Sequence, residues 1–525
     1  MKLLYKVLSL GLISFLTFSN ISCNNPIEDL KITLNTDIST NNYGVRVIDA
    51  KNPDVAVQQL SIQIVGAGKK FIYNSDGTRN FNAENGIFSL LLEPGLKPSV
   101  ENPVRFTILI ESPGYLKAVF PVEINAEGNR AIDIPMVKFD APPVGVASKT
   151  ETVTVDATNG TTTSIKIVVP AENGKQEAAE ISIPAGTKML DEEGKPVTGT
   201  VSIEMVHFDN RNPESLLSFP GGFDASNVIG PNGQQMDPIT FETAGFISVE
   251  MTSGSQKVKS FSNPISVKTE LNAETINPLT GLAIAEGDTI PVWSLDTKTG
   301  QWKFEGNSNV SKNASTNKLE ATMTVPHLSW WNLDYFWNSC TYGSTVRFNT
   351  NVNTTTYRYM ELVNANGSIY RYFFDNVANG SVFRLYRAPN GMRCRLRVYS
   401  GTSYYNKGTI IGQTPLFNLC GSNLQLSLTL PVPKIVNIDI AGNCEGNGRV
   451  LRPSVYVYYK KVGNGSFNYL GYLNNGRMIT DQFEIGQTYV FGTYYSGRWY
   501  EYTRIIDRTN YIETMSLPST TPGCR

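Results

Sequence analysis

Hydrophobic and polar residues alternate with a period of two along most of the chain. Thr200–Met205, Phe246–Met251 and Leu424–Leu430 each place every second, apolar side chain on the same side of an extended segment. Strict alternation is typical of a strand in an antiparallel sheet with one buried and one solvated face. The pattern therefore predicts half-buried β-strands from one end of the chain to the other.

Turn residues interrupt these segments about every ten residues. Asn85-Gly86 and Asn475-Gly476 are examples of the Asn-Gly pair, which suits type I′ hairpin turns because both residues tolerate a positive φ. No stretch with a 3.6-residue period is longer than a couple of turns. We expect an all-β protein, built from tandem antiparallel β-sandwich domains (Ig-like or transthyretin-like) behind an N-terminal lipid tether.

Composition narrows the classes of function. The 525 residues include 45 Lys+Arg against 46 Asp+Glu, and 41% are apolar, so a disordered chain is excluded. A net charge of −1 gives no overall attraction to nucleic acid, and we predict no nucleic-acid partner. With two histidines there is little basis for a His-based metal site or catalytic relay. We expect no cofactor and no resident metal.

The first 22 residues have the form of a secretory signal. A basic start, Met1–Lys6, precedes the apolar segment Val7–Phe18, which is too short to span a bilayer. Asn20–Cys23 follows, ending in a small residue and a cysteine. This segment resembles the lipobox of bacterial lipoproteins, which implies cleavage of residues 1–22, lipid modification of Cys23, and a tether over residues 23–40. The residues also permit an ordinary secretory cleavage after Ser22, or an uncleaved anchor.

The remaining cysteines lie in the last third of the chain. Cys340 and Cys420 are 80 residues apart, and so are Cys444 and Cys524. Equal spacing predicts two homologous modules, 338–433 and 434–525, each closed by one disulfide between its first and last strands. Cys394 is left without a partner. We interpret it as a buried free thiol, with an intermolecular bridge or a reactive site as alternatives; no spacing typical of zinc sites occurs.

Residues 41–140 form the next predicted domain. Val45–Asp49, Asn85–Leu90, Pro94-Gly95 and Gly114-Tyr115 follow one another in an order similar to carboxypeptidase regulatory-like (transthyretin-like) sandwiches of seven strands. Pro142–Gly145 then predicts an extended linker, because consecutive prolines end strand pairing.

Residues 150–337 carry the most specific pattern. The motifs include Ile181–Thr187, Phe219–Phe223, Ile290–Asp296 with Thr299–Trp302, and Val325–Asn332. The series resembles a β-rich extracellular module of cartilage intermediate layer protein, which also occurs in bacterial surface proteins ahead of carboxypeptidase regulatory-like repeats. The resemblance implies an extracellular architecture without known catalysis, so it transfers no functional residues.

Candidate catalytic and metal-binding residues are few. His327 lies near Ser329, but the chain has no G-x-S-x-G elbow, and we interpret His327 as a strand-end residue beside Trp330. His207 alternates within a strand and is interpreted as structural. Asp191–Glu193 is an acidic loop that could bind calcium, although three acids on one turn are more often simply solvated.

Aromatic residues are concentrated in the C-terminal third. We take Tyr458, Tyr494, Trp499 and Tyr500 as a candidate ligand platform, because exposed aromatic faces stack sugar rings and pack peptides. Ordinary cross-strand packing is the alternative. The alternation also places Arg393, Arg395 and Arg397 on one face of a strand, as a basic stripe or a solvated sheet edge.

Taken together, these features predict a non-enzymatic, lipid-anchored cell-surface protein with a structural, adhesive or binding role. The predicted location is the extracytoplasmic side of a bacterial outer membrane. Its expected partners are the membrane, through the lipid, and an extracellular glycan or protein. The alternative is a glycan-binding accessory lipoprotein that serves nutrient uptake.

Overall fold

The computed structural model describes residues 32–35, 41–219, 221–352, 355–365, 367–430, 435–495, 497–521 and 523–524, with only the backbone of 32–35. Almost every regular element is a strand, and the predicted all-β class is confirmed. Cys23 and the predicted signal lie outside the described residues. No described helix is long and apolar enough to cross a membrane.

The N-terminal sandwich occupies residues 42–136 and packs a four-stranded sheet, β4-β5-β2-β8, on a three-stranded sheet, β3-β6-β7. Its first strand pairs in parallel with its last, and its core includes Val45, Phe88 and Ile108. One 3₁₀ helix, Ala67–Phe71, lies between β3 and β4. The strands up to this point are β1 (Ile32–Asn35), β2 (Asn42–Asp49), β3 (Ser61–Val65), β4 (Ile72–Tyr73), β5 (Ile87–Leu92), β6 (Val104–Glu111), β7 (Ala118–Ile124) and β8 (Arg130–Met136).

The central region, residues 146–338, contains two sheets that share a core and one short helix, α1 (Pro213–Leu217). Its strands are β9 (Val146–Asp156), β10 (Gly160–Thr161), β11 (Ile165–Val169), β12 (Ala179–Ile183), β13 (Met189–Leu190), β14 (Gly199–Phe208), β15 (Asp224–Ala225), β16 (Val228–Ile229), β17 (Ile239–Ser253), β18 (Gln256–Lys257), β19 (Ser260–Leu271), β20 (Ile276–Asn277), β21 (Leu282–Ala283), β22 (Thr289–Asp296), β23 (Gln301–Lys312), β24 (Leu319–His327) and β25 (Trp330–Thr350). β23 pairs with β22 and then, at its end, with β24, which carries the chain from one sheet to the other.

One prediction fails in this region. Phe246–Met251 was expected to be half-buried, but both of its faces are covered. Ile247 and Val249 face the core between the two sheets, whereas Phe246 packs with Trp330 on the opposite face. That opposite face is buried because Leu116 and Val119 of the N-terminal sandwich lie against it. By contrast, Val201, Ile203 and Met205 point to one buried side, as predicted.

A single strand crosses the predicted boundary between residues 337 and 338. β25 pairs with β17 up to Asn338 and with β28 (Val382–Pro389) from Ser339 onward. No flexible linker separates the two parts, so the central region and the third sandwich share a continuous backbone strand.

The third sandwich (339–428) and the C-terminal sandwich (436–517) have the same strand arrangement. In each, the first strand pairs in parallel with the last and antiparallel with a middle strand. The strands are β26 (Thr356–Asn364), β27 (Ile369–Val377), β28, β29 (Arg393–Tyr399), β30 (Ile410–Gln413), β31 (Phe417–Asn418) and β32 (Asn423–Leu428), followed by β33 (Val436–Cys444), β34 (Arg449–Arg452), β35 (Val455–Lys461), β36 (Asn468–Leu473), β37 (Arg477–Thr480), β38 (Gln487–Tyr495), β39 (Arg498–Ile506) and β40 (Asn510–Leu517).

Both predicted disulfides are present, Cys340–Cys420 and Cys444–Cys524. Their positions differ from the expected link between first and last strands. Cys340 and Cys444 do lie in the first strands, but Cys420 precedes β32 and Cys524 follows β40. Cys394 is a buried free thiol in the core of the third sandwich.

Part of the predicted tether, residues 23–40, forms a strand of a sheet. Within it, β1 pairs in parallel with β34 of the C-terminal sandwich, over Ile32–Asn35 and Arg449–Arg452. The backbone just ahead of the N-terminal sandwich therefore extends a sheet at the opposite end of the sequence.

Candidate functional site

The predicted aromatic platform is not one exposed surface. Tyr458 and Tyr494 are 1% and 3% exposed, Trp499 is half-buried, and Tyr500 alone of the four is well exposed, at 42%. The platform prediction is wrong for the two buried tyrosines. Their sheet face is covered by the N-terminal sandwich, with Ile87 in the same apolar cluster.

Close contact between the first and last sandwiches explains this burial. Tyr456 donates a hydrogen bond to the Asn42 carbonyl at 2.6 Å, and Asn42 Nδ2 donates to the Tyr472 hydroxyl at 2.7 Å. Burial raises the pKa of the nearby Tyr43 hydroxyl to about 12. Burial also raises the pKa of Tyr456 well above its usual value, so Tyr456 acts as a neutral hydrogen-bond donor between the two sandwiches.

A buried arginine links the same two sandwiches. Arg46 binds Asp133 through Nε at 2.9 Å and through a second nitrogen at 2.6 Å, and it also donates to the Phe467 carbonyl at 2.8 Å. Burial alone would lower the pKa of Arg46, but Asp133 outweighs it and raises that pKa. The guanidinium therefore stays charged. It pairs with Asp133 within the N-terminal sandwich and donates to the Phe467 backbone carbonyl of the C-terminal sandwich.

The third sandwich completes the arrangement. Arg358, fully buried, forms an ion pair with Asp481 of the C-terminal sandwich. Thr402 donates to the Tyr469 carbonyl at 2.9 Å, and Tyr404 donates to Glu214 of the central region at 3.0 Å. We call the tyrosines that lie where the four parts meet the tyrosine cluster: Tyr357, Tyr359, Tyr372, Tyr404, Tyr405, Tyr456, Tyr458, Tyr469 and Tyr472.

A cleft of about 700 Å³ lies beside this cluster, between β7 and β8, the segments Leu216–Phe219 and Gly222–Ser226, and β27 and β28. Phe120, Tyr372 and Phe374 contribute half-buried aromatic surface to its walls. Two ion pairs join the walls, Arg371 with Asp224, and Arg387 with Glu123 at 3.3 Å. The volume is within the range of small-ligand sites, and its place between domains is a common one for such sites.

Of the predicted chemical candidates, His207 is enclosed in the core, whereas His327 and the acidic loop have local polar contacts. His207 is 1% exposed, burial lowers its pKa, and neither ring nitrogen has a partner among the described residues. His327 packs against Trp331, with 5.1 Å between ring centroids, and not against Trp330 as expected. Its Nε2 lies 3.3 Å from Glu305.

The acidic loop Asp191–Glu193 also forms local contacts. Asp191 accepts backbone hydrogen bonds from Glu193 and Lys195, and Glu192 pairs with Lys298. Within the described parts of the chain, no three metal-ligating side chains come together.

The basic stripe occupies one strand face as predicted, but it is not uniformly solvated. Arg393 is exposed, whereas Arg395 and Arg397 are half-buried. Arg397 lies across from Glu361 on the neighbouring strand, where the tyrosine cluster begins. The stripe is therefore a less continuous basic surface than alternation alone suggested.

Several exposed apolar side chains remain on the C-terminal sandwich. β39 and β40 carry five of the sixteen well-exposed large apolar side chains among the described residues: Tyr500, Tyr502, Ile505, Ile512 and Met515. β39 and β40 belong to different sheets of this sandwich, and Tyr500 and Tyr502 point to the opposite side of β39 from Ile505, so the five side chains do not form one apolar surface. Sequence reasoning singled out Tyr500 but missed Ile505, Ile512 and Met515. Alternation within β40 could have indicated Ile512, because buried Tyr511 precedes it.

No family model and no curated protein matches the chain. Among solved structures it is similar to the Bacillus anthracis TIE protein at 9% identity and a TM-score of 0.14, over 71% of this chain and 57% of that one. It is also similar to BcpA, the major pilin subunit of Bacillus cereus, at 8% identity and a TM-score of 0.14, over 91% of this chain and 98% of that one. A third match is the pilus-presented adhesin Cpa, at 10% and 0.13, over 75% and 100%. At such TM-scores these likenesses carry no argument about function.

Proposed function

We propose that this chain is a non-enzymatic surface protein with a structural or adhesive role, held to the membrane by a lipid on Cys23. The observation that carries the proposal is the burial of ionic and tyrosine contacts between sandwiches, as in Arg358–Asp481 and Arg46–Phe467. Such contacts favour a stiff assembly of sandwiches over a flexible string of domains. The buried polar and ionic side chains at these interfaces hold the sandwiches together.

Two further features support an extracytoplasmic location. The disulfides Cys340–Cys420 and Cys444–Cys524 suit an oxidising compartment. The Asn20–Cys23 segment suits lipid attachment, and more than one acyl chain would give stable anchoring. The bacterial outer membrane is the proposed destination.

Membrane fractionation tests the anchor. Cys23→Ser should move the protein from the membrane to the soluble fraction, whereas Cys394→Ser should leave it in the membrane. An unchanged membrane fraction for Cys23→Ser would refute lipid anchoring. Adhesion is tested by attaching cells that display the wild-type chain to surfaces coated with extracellular-matrix proteins. Equal attachment of cells that lack the chain would refute the adhesive role.

The cleft favours a second candidate function, glycan binding in support of nutrient uptake. Phe120 and Phe374 offer aromatic surface, and Arg384 lines the same cleft as a hydrogen-bond donor. A glycan array probed with the wild-type chain should give hits that Phe120→Ala and Arg384→Ala weaken together. Hits that survive both substitutions would place the glycan site elsewhere, and an array without hits would remove this candidate.

A further inference from the structure

Strand β39 differs from the strands that occupy the same place in the other two sandwiches. Each of these three strands lies at the end of the second sheet of its sandwich: β7 beside β6 in the N-terminal sandwich, β30 beside β29 in the third, and β39 beside β38 in the C-terminal one. β7 contains Pro121, and the Val119 carbonyl on it accepts a hydrogen bond from Gly221 of the central region at 2.7 Å. β30 is only four residues long. Both strands therefore offer little backbone to a further strand.

β39 has none of these protections. It is nine residues long, contains no proline, and pairs with β38 over its whole length without a register shift. Among the described strands only β38 pairs with it, so its other edge carries unpaired backbone groups. Long, regular and uncovered edges are the ones that accept a further strand.

The side chains of β39 suit an identical strand. With Tyr502 at the centre of an antiparallel pair, all nine residues find a partner: Tyr500 lies opposite Arg504 of the second copy, and Glu501 opposite Thr503. No like charges meet in this register, and arginine against tyrosine allows a cation–π contact. Centring the pair on Glu501 instead would place glutamate against glutamate and Arg498 against Arg504.

We propose that β39 is a docking edge for a second copy of this chain, joined antiparallel about Tyr502. The two four-stranded sheets β36-β35-β38-β39 become one continuous sheet across the two-fold axis. The exposed Tyr500, Tyr502 and Ile505 gain partners from the second copy. The pairing is independent of the proposed anchor and of any glycan ligand.

Cysteine crosslinking of the full chain in membranes tests the pairing. Directly opposed residues of antiparallel strands have β-carbons about 4.5–5.5 Å apart. Under copper-phenanthroline oxidation, Tyr502→Cys should therefore give a band at twice the monomer mass on a non-reducing gel. Val462→Cys is the matched control, because Val462 is 56% exposed in the same sandwich but lies in the turn after β35, and it should stay monomeric. The unsubstituted chain controls for Cys23.

Register is tested by co-expressing two differently tagged copies, one with Tyr500→Cys and one with Arg504→Cys. The mixed dimer should dominate, because identical positions 500 and 500 would be about 13 Å apart in this register. The proposal is overturned if Tyr502→Cys folds with both native disulfides yet stays monomeric. It is overturned equally if Val462→Cys dimerises as well, if 500–500 crosslinks dominate, or if position 502 crosslinks to a different protein.

Discussion

Gly44 of β2 lies directly against Tyr458 of the C-terminal sandwich. A β-carbon at position 44 would come within 2.5 Å of the Tyr458 hydroxyl oxygen and 2.7 Å of the Tyr456 ring. Only a residue without a side chain permits these two tyrosines to reach the N-terminal sandwich so closely. The contact joins the first and last sandwiches of the chain, and it depends on the absence of one carbon atom.

Replacing Gly44 by alanine should loosen this interface. The added carbon must displace two buried rings, and overpacking of this kind costs about 1–3 kcal/mol. We expect a lower free energy of unfolding in urea and greater exposure of tyrosine to quenchers. Ser89→Ala, directly across the strand pair, removes an atom and should change stability less. An alanine at 44 that leaves both readouts unchanged would contradict the close contact.

Removing only one partner of the Arg358–Asp481 ion pair should lower the stability of the protein strongly. Arg358→Met leaves a carboxylate that is 6% exposed without its partner, and such losses destabilise by about 3–5 kcal/mol. Arg358→Met with Asp481→Leu should recover much of that loss, because no buried charge is left over. Lys461→Met is the control, since its pair with Glu484 is exposed and worth little. A double-mutant cycle measured by urea unfolding gives the coupling, and a coupling near zero would contradict a buried interface.

Each disulfide closes a loop between residues 80 apart, so each should contribute similarly. In the chain-entropy model, removing one lowers stability by about 4–5 kcal/mol. Cys340→Ser/Cys420→Ser and Cys444→Ser/Cys524→Ser should therefore both lower the melting temperature strongly. Cys394→Ala, which removes only a buried thiol, should lower it much less. Peptide mass mapping without reduction should find the two native pairs, and a crosslink to Cys394 would contradict the assignment.

Alternation and spacing predicted the strands and the two disulfides because these depend on local pattern and on cysteine positions. Leu426 and Leu428 are buried between exposed neighbours, as their alternation indicated. Contacts between sandwiches follow no such periodicity. Tyr458 and Tyr500 both alternate within strands, but one is buried because the N-terminal sandwich covers its sheet face. Nothing in the sequence around Tyr458 indicates that Gly44, more than 400 residues away, forms the opposing surface.

The double burial of Phe246–Met251 has the same origin. Alternation of polar and apolar residues predicts a half-buried strand, but Ser248, on the predicted solvent-facing side, is only 1% exposed. The continuity of β25 was equally hidden, because a strand that changes partner at Asn338 and Ser339 keeps the same local character throughout. Tertiary context, rather than strand propensity, decides both features.

Glu305 should make stability depend on pH in the acid range. Burial alone would raise the pKa of Glu305, but hydrogen bonds from His327, Ser294 and Lys303 outweigh it and lower that pKa to about 2. The donors lie at 3.3, 2.8 and 3.1 Å, and the side chain is 13% exposed.

A depressed carboxyl pKa stabilises the fold fully above the unfolded-state pKa of about 4.5, and that contribution disappears as the pH falls towards 2. Because Lys303 and His327 are partly exposed, solvent screening reduces the contribution of this shift to about 1–2 kcal/mol. We therefore expect Glu305→Gln to be less stable than wild type at pH 7, with a difference that shrinks between pH 4.5 and 2. Urea unfolding across that range measures the difference, and Glu193→Gln on the exposed loop is the control. A difference that is constant with pH would show that the substitution acts through packing rather than through the charge of Glu305.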